Sequence, residues 1–472
     1  MEQNVNCVIL AAGEGKRMFS RSSKVLCEVA YKPMILWVTD AAKSSGIEQI
    51  CVVISNDDVK SAVGDDCTIA YQRERLGTGH AVLCASDFLK SHAGEDTLIL
   101  YGDAPFIDIN TIRNSLALHR ETNASATIIS AEIADPFGYG RIVRRGGSIS
   151  AIIEQADTDD ATGQITEINS GAGWFKTDAL LRALSKITNE NAQGEYYLTD
   201  AVSILIGTGQ TVGVYRAETP DVTLGANSPV DLLNLNDLAK ERAIVKHLSV
   251  GVHFVSRSGI IIGPDVIIAP GAEILPGSIL IGKTEIGAGS IIGPNSMIKN
   301  SVIGNNTVLN ETHVLESKIG NNVSIGPFVQ IRPDCVINDD VHIGDFVEVK
   351  NSTIGEGTAI AHLTYIGDSD VGCYCNFGCG VVTVNYDGEK KSRTTIKDFA
   401  FIGCNTNLIS PVTVGRSAYA AAGATISKNV PDGALALDRG QLIFKEGWAT
   451  DKLKTYIERK TALMNSKTEP NK

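Results

Sequence analysis

Two groups of residues in this chain have the types and spacing to do chemistry. The first begins at Leu10, where LAAGEGKRM runs to Met18 and Lys24 follows six residues on. Gly13 and Gly15 let backbone N–H groups approach phosphate oxygens, while Arg17 and Lys24 add fixed positive charge. The pattern is neither the GxxxxGK[ST] of a P-loop nor the GxGxxG of a dinucleotide fold. A Gly-rich turn after a first strand is often only a turn, so the phosphate reading rests on the cations. Tyr101-Gly102-Asp103 closes another apolar run and puts a carboxylate at a strand end, where it can hold Mg²⁺ beside phosphates or merely cap a turn. In isolation the cap is the stronger reading. The second group lies in the C-terminal half: His362, which on its own is more often structural than catalytic but stands beside small residues and an added loop, and the cations Arg332 and Lys350.

A ruler positions that second group. From Ile262 an aliphatic residue recurs every sixth position, through Ile268, Ile274, Leu280, Ile286, Ile292 and Ile298, then Ile303, Leu309 and Leu315. It resumes at Ile319 and runs with short slips through Ile331, Ile343, Val349, Ile360, Phe377, Ile402 and Ala420 to Ile426. Six is not a helical period. It belongs to a parallel β-helix with three flat faces, three hexads to the coil, so residues eighteen apart stack at about 4.8 Å. Steps of five at Ile298–Ile303, Val349–Ile354 and Ile366–Val371, and of four at Leu315–Ile319, tighten corners. Between Thr383 and Ile396 a step of thirteen replaces six, an added loop of the kind that carries function or is simply tolerated.

Counted this way, His362, two residues after Ile360, shares a file with Cys379, Cys404 and Ala422 on one outer face. Arg332 and Lys350 directly follow Ile331 and Val349 and sit one coil apart on a common edge. Stacked cations repel unless an anion lies near, which favours a phosphate site over screened surface charge. Cys373 and Cys379 are one hexad apart and fall on different faces, which argues against a zinc cluster with Cys375.

Residues 1–227 alternate the strand-like runs NCVILAA, QICVVIS, TLILYGD and SATIISA with amphipathic segments, the signature of a Rossmann-like α/β sheet. Residues 228–250 read as a rigid linker helix, capped by Ser228 with Pro229 in its first turn. Leu232, Leu233, Leu235, Leu238, Ile244, Val245 and Leu248 lie largely on one side of it. The hexad region spans 251–444, and 445–472 reads as a polar tail.

At 472 residues the chain exceeds one ordinary core. A net charge of −12 without a basic block argues against nucleic acid and anionic membrane as partners. Gly and Pro interrupt every apolar run before the roughly 18 residues of a membrane span. MEQNVNCVILAAGEG has no basic n-region and reads as a first strand, not a signal peptide. Ten scattered Cys fit free thiols in a reducing cytoplasm.

The motifs LAAGEGKRM with Lys24, LGTGHA (Leu76 to Ala81), YGD, GYGRI (Gly138 to Ile142), EINSG (Glu167 to Gly171) and EYYLTD (Glu195 to Asp200) come in the order seen in sugar-nucleotide pyrophosphorylases. With HLTYIG, NYDG and the hexads behind them, nearly the whole chain resembles a bacterial bifunctional family, the N-acetylglucosamine-1-phosphate uridylyltransferase/glucosamine-1-phosphate N-acetyltransferases. The first motif alone gives the superfamily; LGTGHA with NYDG and HLTYIG is narrower. The fold implied is a Rossmann-like α/β nucleotidyltransferase domain followed by a left-handed parallel β-helix. Implied at the first site are Arg17 and Lys24 on the triphosphate, with Leu10, Ala11, Gly13 and Tyr101 about the nucleotide. Gln72, Gly77 and Thr78 would read uracil and ribose, Asp103 and Asn227 would hold Mg²⁺, and Gly140, Glu154, Asn169 and Thr199 would meet the sugar.

At the second site the resemblance makes His362 the base, oriented by Glu348. It puts glucosamine-1-phosphate on Arg332, Lys350, Tyr365, Asn376 and Lys391, and acetyl-CoA on Cys379, Asn385, Tyr386, Cys404, Ala422 and Arg439. A homotrimer is implied, with Arg439 and Trp448 reaching across to a neighbour. This chain departs from the pattern at Cys379 and Cys404, where the family has Ala and Ser; the two thiols would be stacked neighbours, close enough to contemplate a disulfide. Two rival readings stand beside this one: a single-activity sugar-1-phosphate nucleotidyltransferase whose β-helix only mediates trimerisation, and a non-enzymatic scaffold. The scaffold leaves Arg17, Lys24, Asp103 and Asn227 without a use.

Overall fold

The computed structural model describes residues 4–13, 15, 18, 23–440 and 444–468; Arg17 lies outside them. Contacts divide the chain into two compact units, Met1–Leu315 and Glu316–Lys472.

The first unit opens on a nine-stranded sheet: β1 (Val5–Ala11), β2 (Gln49–Ile54), β3 (Thr68–Tyr71), β4 (Asp96–Tyr101), β5 (Ala126–Glu132), β6 (Arg141–Arg145), β7 (Ser148–Ile153), β8 (Glu167–Lys176) and β9 (Val212–Arg216). Its order is β9-β5-β8-β4-β1-β2-β3, with the β6–β7 hairpin attached to β8. Neighbours run parallel except β8, which opposes both β4 and β5. The four runs read from the sequence are β1, β2, β4 and β5, each displaced by no more than two residues. β1 is buried throughout because helices cover both faces. Its alternation sends Cys7 and Ile9 toward Ile35, Val38 and Ile112, and Val8 and Leu10 toward Val82, Leu180 and Val202. Chain order reverses where β4 and β2 flank β1. A crevice opens at the strand C-termini there, the place where open α/β sheets bind ligands.

The linker helix forms at Pro229–Ser249, and Ser228 Oγ accepts from the Asp231 N–H at 3.2 Å. Its apolar face is narrower than the sequence reading had it. Leu235 and Ala239 pack on Val29, Met34 and Phe106, whereas Leu233 is 62% exposed, because two residues place it some 200° around the helix from Leu235.

The hexads coil as expected into three walls of parallel two- to four-residue strands, a left-handed β-helix. Ile262 pairs with Leu280 and Leu280 with Ile298, eighteen apart, and the ruler side chains fill the interior. One ruler position is corrected. Ile298 stands beside Val314, which is fully buried, while Leu315 beside Lys299 is half-buried. The steps from Leu309 through Val314 to Ile319 are therefore five and five, not six and four. In the second unit the walls run through Ala359–Ile360, Asn376–Phe377, Phe401–Ile402 and Tyr419–Ala420; through Val329–Ile331, Glu348–Lys350, Tyr365–Gly367 and Val382–Val384; and through Thr353–Ile354, Ser369–Val371 and Thr394–Ile396. The long step after Thr383 is a small antiparallel excursion closed by Tyr386 and Lys391, with the Ser392 N–H on Asn385 O at 2.9 Å. The polar tail contains a helix, Trp448–Thr468.

Candidate active sites

At the switch point the ends of β1 and β4 border a cleft of about 270 Å³, lined among others by Leu10, Gly13, Lys24, Gln72, Gly77, Thr78, Tyr101 and Asp103. Ala11 is not on its surface; it lies in the core, and Ala12 lines the cleft instead. Two of the motifs are zipped together. Tyr196 N–H donates to Leu76 O at 2.7 Å, Gly79 N–H to Tyr196 O at 2.8 Å, and Leu198 N–H to Thr78 Oγ1 at 3.0 Å. Gly77 has φ 107°, and a Cβ there would stand 2.5 Å from Tyr196 O, so this contact needs glycine.

Lys24 Nζ sits 2.5 Å from Asp103 Oδ2 and 3.0 Å from Asn227 Oδ1. One carboxylate and one amide oxygen thus converge on a single cation, a hard-oxygen donor set of the kind Mg²⁺ takes, with the ammonium standing where positive charge is wanted. The residues fit that ion.

The sugar-contact candidates lie on and beside the β6–β8 region. Asn169 N–H donates to Gly140 O at 2.8 Å, and Thr199 donates to Glu154 Oε1 at 2.9 Å. A Cβ on Gly140 would come 3.3 Å from Glu154 Oε2. Asn169, Thr199 and Tyr101 line one recess. Burial pushes the Glu154 carboxyl up, only partly offset by the Thr199 bond, and burial followed by the Glu154 charge raises the Tyr101 phenol.

In the second unit Ile360, Phe377, Ile402 and Ala420 are in register, so His362, Cys379, Cys404 and Ala422 stack as expected. The Gly380, Asn405 and Gly423 N–H groups bond in turn to the carbonyls of His362, Cys379 and Cys404. The file runs along a corner, not a face: His362, at φ 66°, lies in the turn between the Ala359–Ile360 and Tyr365–Gly367 strands. Its Nδ1 is 2.5 Å from Asp345 Oδ1, a bond that holds the Asp345 carboxyl below its ordinary range. Glu348, expected to orient the imidazole, instead bonds Arg332 Nη1 at 2.8 Å. The reason is geometric. Glu348 belongs to the Val329–Ile331/Glu348–Lys350 wall, where the guanidinium reaches it, and Asp345 lies one coil below His362 in its own file.

Arg332 and Lys350 stand one coil apart as expected, the Arg332 N–H on Val349 O at 2.8 Å. Lys350 Nζ is 4.0 Å from buried Asp368, and it holds the neighbouring Lys391 ammonium below the usual lysine value. Burial pushes Asp368 upward, but hydrogen bonds from Asn351 (2.6 Å) and Asn385 win and lower it. Asn385 also reaches Tyr365 Oη at 3.4 Å. Asn376 is not brought to this group; it projects from the Asn376–Phe377 strand on a different wall. Tyr386, Cys404 and Arg439 are exposed, and all described cysteines are free thiols.

Residues 7–173 match the MobA-like NTP transferase domain, and residues 316–351 match six repeats of the bacterial transferase hexapeptide. "Bifunctional protein GlmU" of Acetivibrio thermocellus is 45% identical over 94% of this chain and 97% of its own length. The proteins of the same name from Brevibacillus brevis (43%; 94% of this chain, 97% of theirs) and Clostridium botulinum (44%; 95% and 98%) are similar throughout. The chain belongs to the GlmU family.

Several side chains at these sites have no counterpart among the candidates read from the sequence. Arg75 lines the cleft and bonds Ala12 O at 3.0 Å, and Glu195 lines it too; Arg75 was not singled out, and Glu195 only as the opening residue of EYYLTD, without a role. Asp345 and Asp368 were within reach. Asp345 follows Ile343 by two, the same offset that places His362 after Ile360, and Asp368 follows Ile366 likewise, between Asn351 and Asn385 in the next file.

Proposed function

We propose that this chain makes UDP-N-acetylglucosamine in two steps: acetylation of glucosamine-1-phosphate by acetyl-CoA, then transfer of UMP from UTP to N-acetylglucosamine-1-phosphate with release of pyrophosphate. It is an enzyme, a UDP-N-acetylglucosamine pyrophosphorylase and a glucosamine-1-phosphate N-acetyltransferase. The observation that carries the two-site reading is the His362–Asp345 pair; the Lys350–Lys391 cations add to it. A β-helix serving only trimerisation needs neither.

In the cleft a sugar-phosphate oxygen attacks the α-phosphorus of UTP and pyrophosphate leaves, so no protein nucleophile is required and the work is positioning and charge neutralisation. Arg17 and Lys24 neutralise the triphosphate, Gln72, Gly77 and Thr78 hold the nucleoside, and Gly140, Glu154, Asn169 and Thr199 orient the sugar. Asp103 and Asn227 would hold Mg²⁺, which supplies further positive charge at the phosphates.

At the prism, Asp345 accepts from Nδ1–H of His362, leaving Nε2 as the base. Nε2 takes a proton from the glucosamine amine as the nitrogen attacks the thioester carbonyl, and returns it to the departing CoA sulfur. Arg332, Lys350 and Lys391 face the sugar phosphate, with Tyr365 beside them. Acetyl-CoA runs along Cys379, Cys404 and Ala422, bordered by Asn385 and Tyr386. With His362 open to solvent and Asn376 on another wall, a homotrimer would complete the site, its neighbour lending Asn376, Arg439 and Trp448. The division of labour is 1–227 for uridylyl transfer, 228–250 as linker, 251–444 for acetyl transfer and 445–472 as the reaching tail. A cytoplasmic location fits the soluble substrates of this reading. No helix among the described residues is long and apolar enough to cross a membrane.

The test is a coupled assay on purified protein with glucosamine-1-phosphate, acetyl-CoA, UTP and Mg²⁺, omitting each in turn. UDP-N-acetylglucosamine should require all four. Its formation only from pre-acetylated sugar phosphate would leave the single-activity reading.

A further inference from the structure

We propose that His80 sets the base preference of the nucleotide cleft by locking the side-chain amide of Gln72, an inference that rests on the uridylyltransferase reading above. Gln72 follows β3, is 4% exposed, and lines the cleft. Its Nε2 lies 3.0 Å from the carbonyl oxygen of Gly77 and 3.1 Å from Nδ1 of His80. An amide nitrogen has two hydrogens to give. A carbonyl oxygen can only accept, so Gly77 decides which end of the amide is nitrogen. The second hydrogen then goes to His80, whose Nδ1 must be the bare ring nitrogen with its proton on Nε2.

Both hydrogens are thereby spent inward. Oε1 has no hydrogen bond among the described residues, yet it is not one of the sealed polar atoms of the interior. It is what Gln72 offers to a ligand in the cleft, and it is an acceptor. An acceptor there selects a pyrimidine whose ring nitrogen carries a hydrogen, as N3–H of uracil does. Cytosine presents a lone pair at that nitrogen and is repelled, and discrimination by an unpaired polar group is stronger than discrimination by shape.

His80 touches no substrate in this account; it is a positioning residue. It sits in the helix Thr78–Cys84, which Gly79 and Thr78 pin to the Tyr196–Leu198 segment, so the imidazole is held by the same zipper that shapes the cleft. Without His80 the amide keeps only its Gly77 bond. It can then turn over and present NH₂ to the cleft, where cytosine N3 would accept it.

The experiment measures kcat/KM for UTP and for CTP, with N-acetylglucosamine-1-phosphate, in the full-length enzyme and in His80→Leu, His80→Asn and His80→Gln. Asn keeps an acceptor close to where Nδ1 stood, whereas Gln places one nearer the Nε2 position. The UTP-to-CTP ratio should fall about tenfold in His80→Leu, the equivalent of one hydrogen bond, chiefly through KM for UTP. His80→Asn should restore it, His80→Gln should not, and acetyl transfer should be unchanged in all three. Should His80→Leu not fold, the Asn and Gln variants decide by the same ratio. An unaltered ratio in His80→Leu, or equal ratios in Asn and Gln, overturns the proposal while leaving uridylyl transfer standing. A wild-type enzyme that does not use UTP removes the reading beneath it.

Discussion

The nucleotide cleft and the prism site are built on opposite plans. In the cleft, strand ends and loops of one chain converge: Gln72 is buried, Tyr101 is shared by two recesses, and the LGTGHA and EYYLTD segments are joined backbone to backbone. At the prism the groups are laid out along corners and walls. The His362 side chain is 60% exposed, Cys404 is open, and Asn376 faces elsewhere. A twisted parallel sheet gathers its C-terminal loops on one edge and can surround a substrate by itself. A three-sided coil spreads side chains over flat surfaces, which is why a neighbouring copy is proposed to complete this site.

That contrast can be broken by separating the activities. His362→Ala should cut acetyl transfer by roughly 10³-fold and spare uridylyl transfer. Asp103→Ala should cut uridylyl transfer by about 10²–10³-fold and spare acetyl transfer. Loss of both activities in either folded variant would merge the two sites into one. A smaller effect sharpens the prism side. Asp345→Asn should slow acetyl transfer about 10- to 100-fold, because the neutral amide loses the carboxylate's charge and can donate to Nδ1, fixing the wrong tautomer; the figure is discounted for its exposure. Glu348→Gln should act mainly on KM for glucosamine-1-phosphate, through Arg332. If Glu348→Gln lowers kcat more than Asp345→Asn does, the assignment of the orienting carboxylate is reversed.

The cleft has its own pH signature. Because burial raises the Glu154 pKa, its carboxylate is lost at a higher pH than that of an ordinary glutamate. KM for N-acetylglucosamine-1-phosphate should therefore climb on the acid side before that of a solvent-exposed glutamate site would. In Glu154→Gln the climb should vanish, leaving a KM that is high and flat. The least effect belongs to the family departure: Cys404→Ser should change KM for acetyl-CoA by no more than about fivefold, the scale of one hydrogen bond.

The hexad period made the file of His362 and the Arg332–Lys350 edge legible, while Tyr365, Asn376, Lys391, Asn385 and Tyr386 came only from the resemblance. Inward residues of a β-helix must be aliphatic and regularly spaced, so the stacking of His362, Cys379, Cys404 and Ala422 follows from counting. Counting stumbled at Leu315, because two adjacent apolar residues compete for one inward slot and only Val314 takes it. It also missed Asp345, two residues past its ruler position, where the resemblance had supplied Glu348. The α/β strands were visible in their apolar runs, since β1 is covered on both faces. The cleft was legible only through its motifs: Gln72 came from the resemblance, whereas Arg75 in the same loop and Glu195 in a distant one went unassigned, since no periodicity relates loops to each other. The amphipathic pattern of the linker misled, as Leu233 and Val245 carry the right chemistry on an uncovered side.

Lys24, lodged between Asp103 and Asn227, has a thermodynamic corollary. Those oxygens already possess a tethered cation, so stripping divalent ions with a chelator does not leave the Asp103 carboxylate without a counterion. The resting protein should accordingly melt at nearly the same temperature with and without EDTA, even where catalysis has stopped.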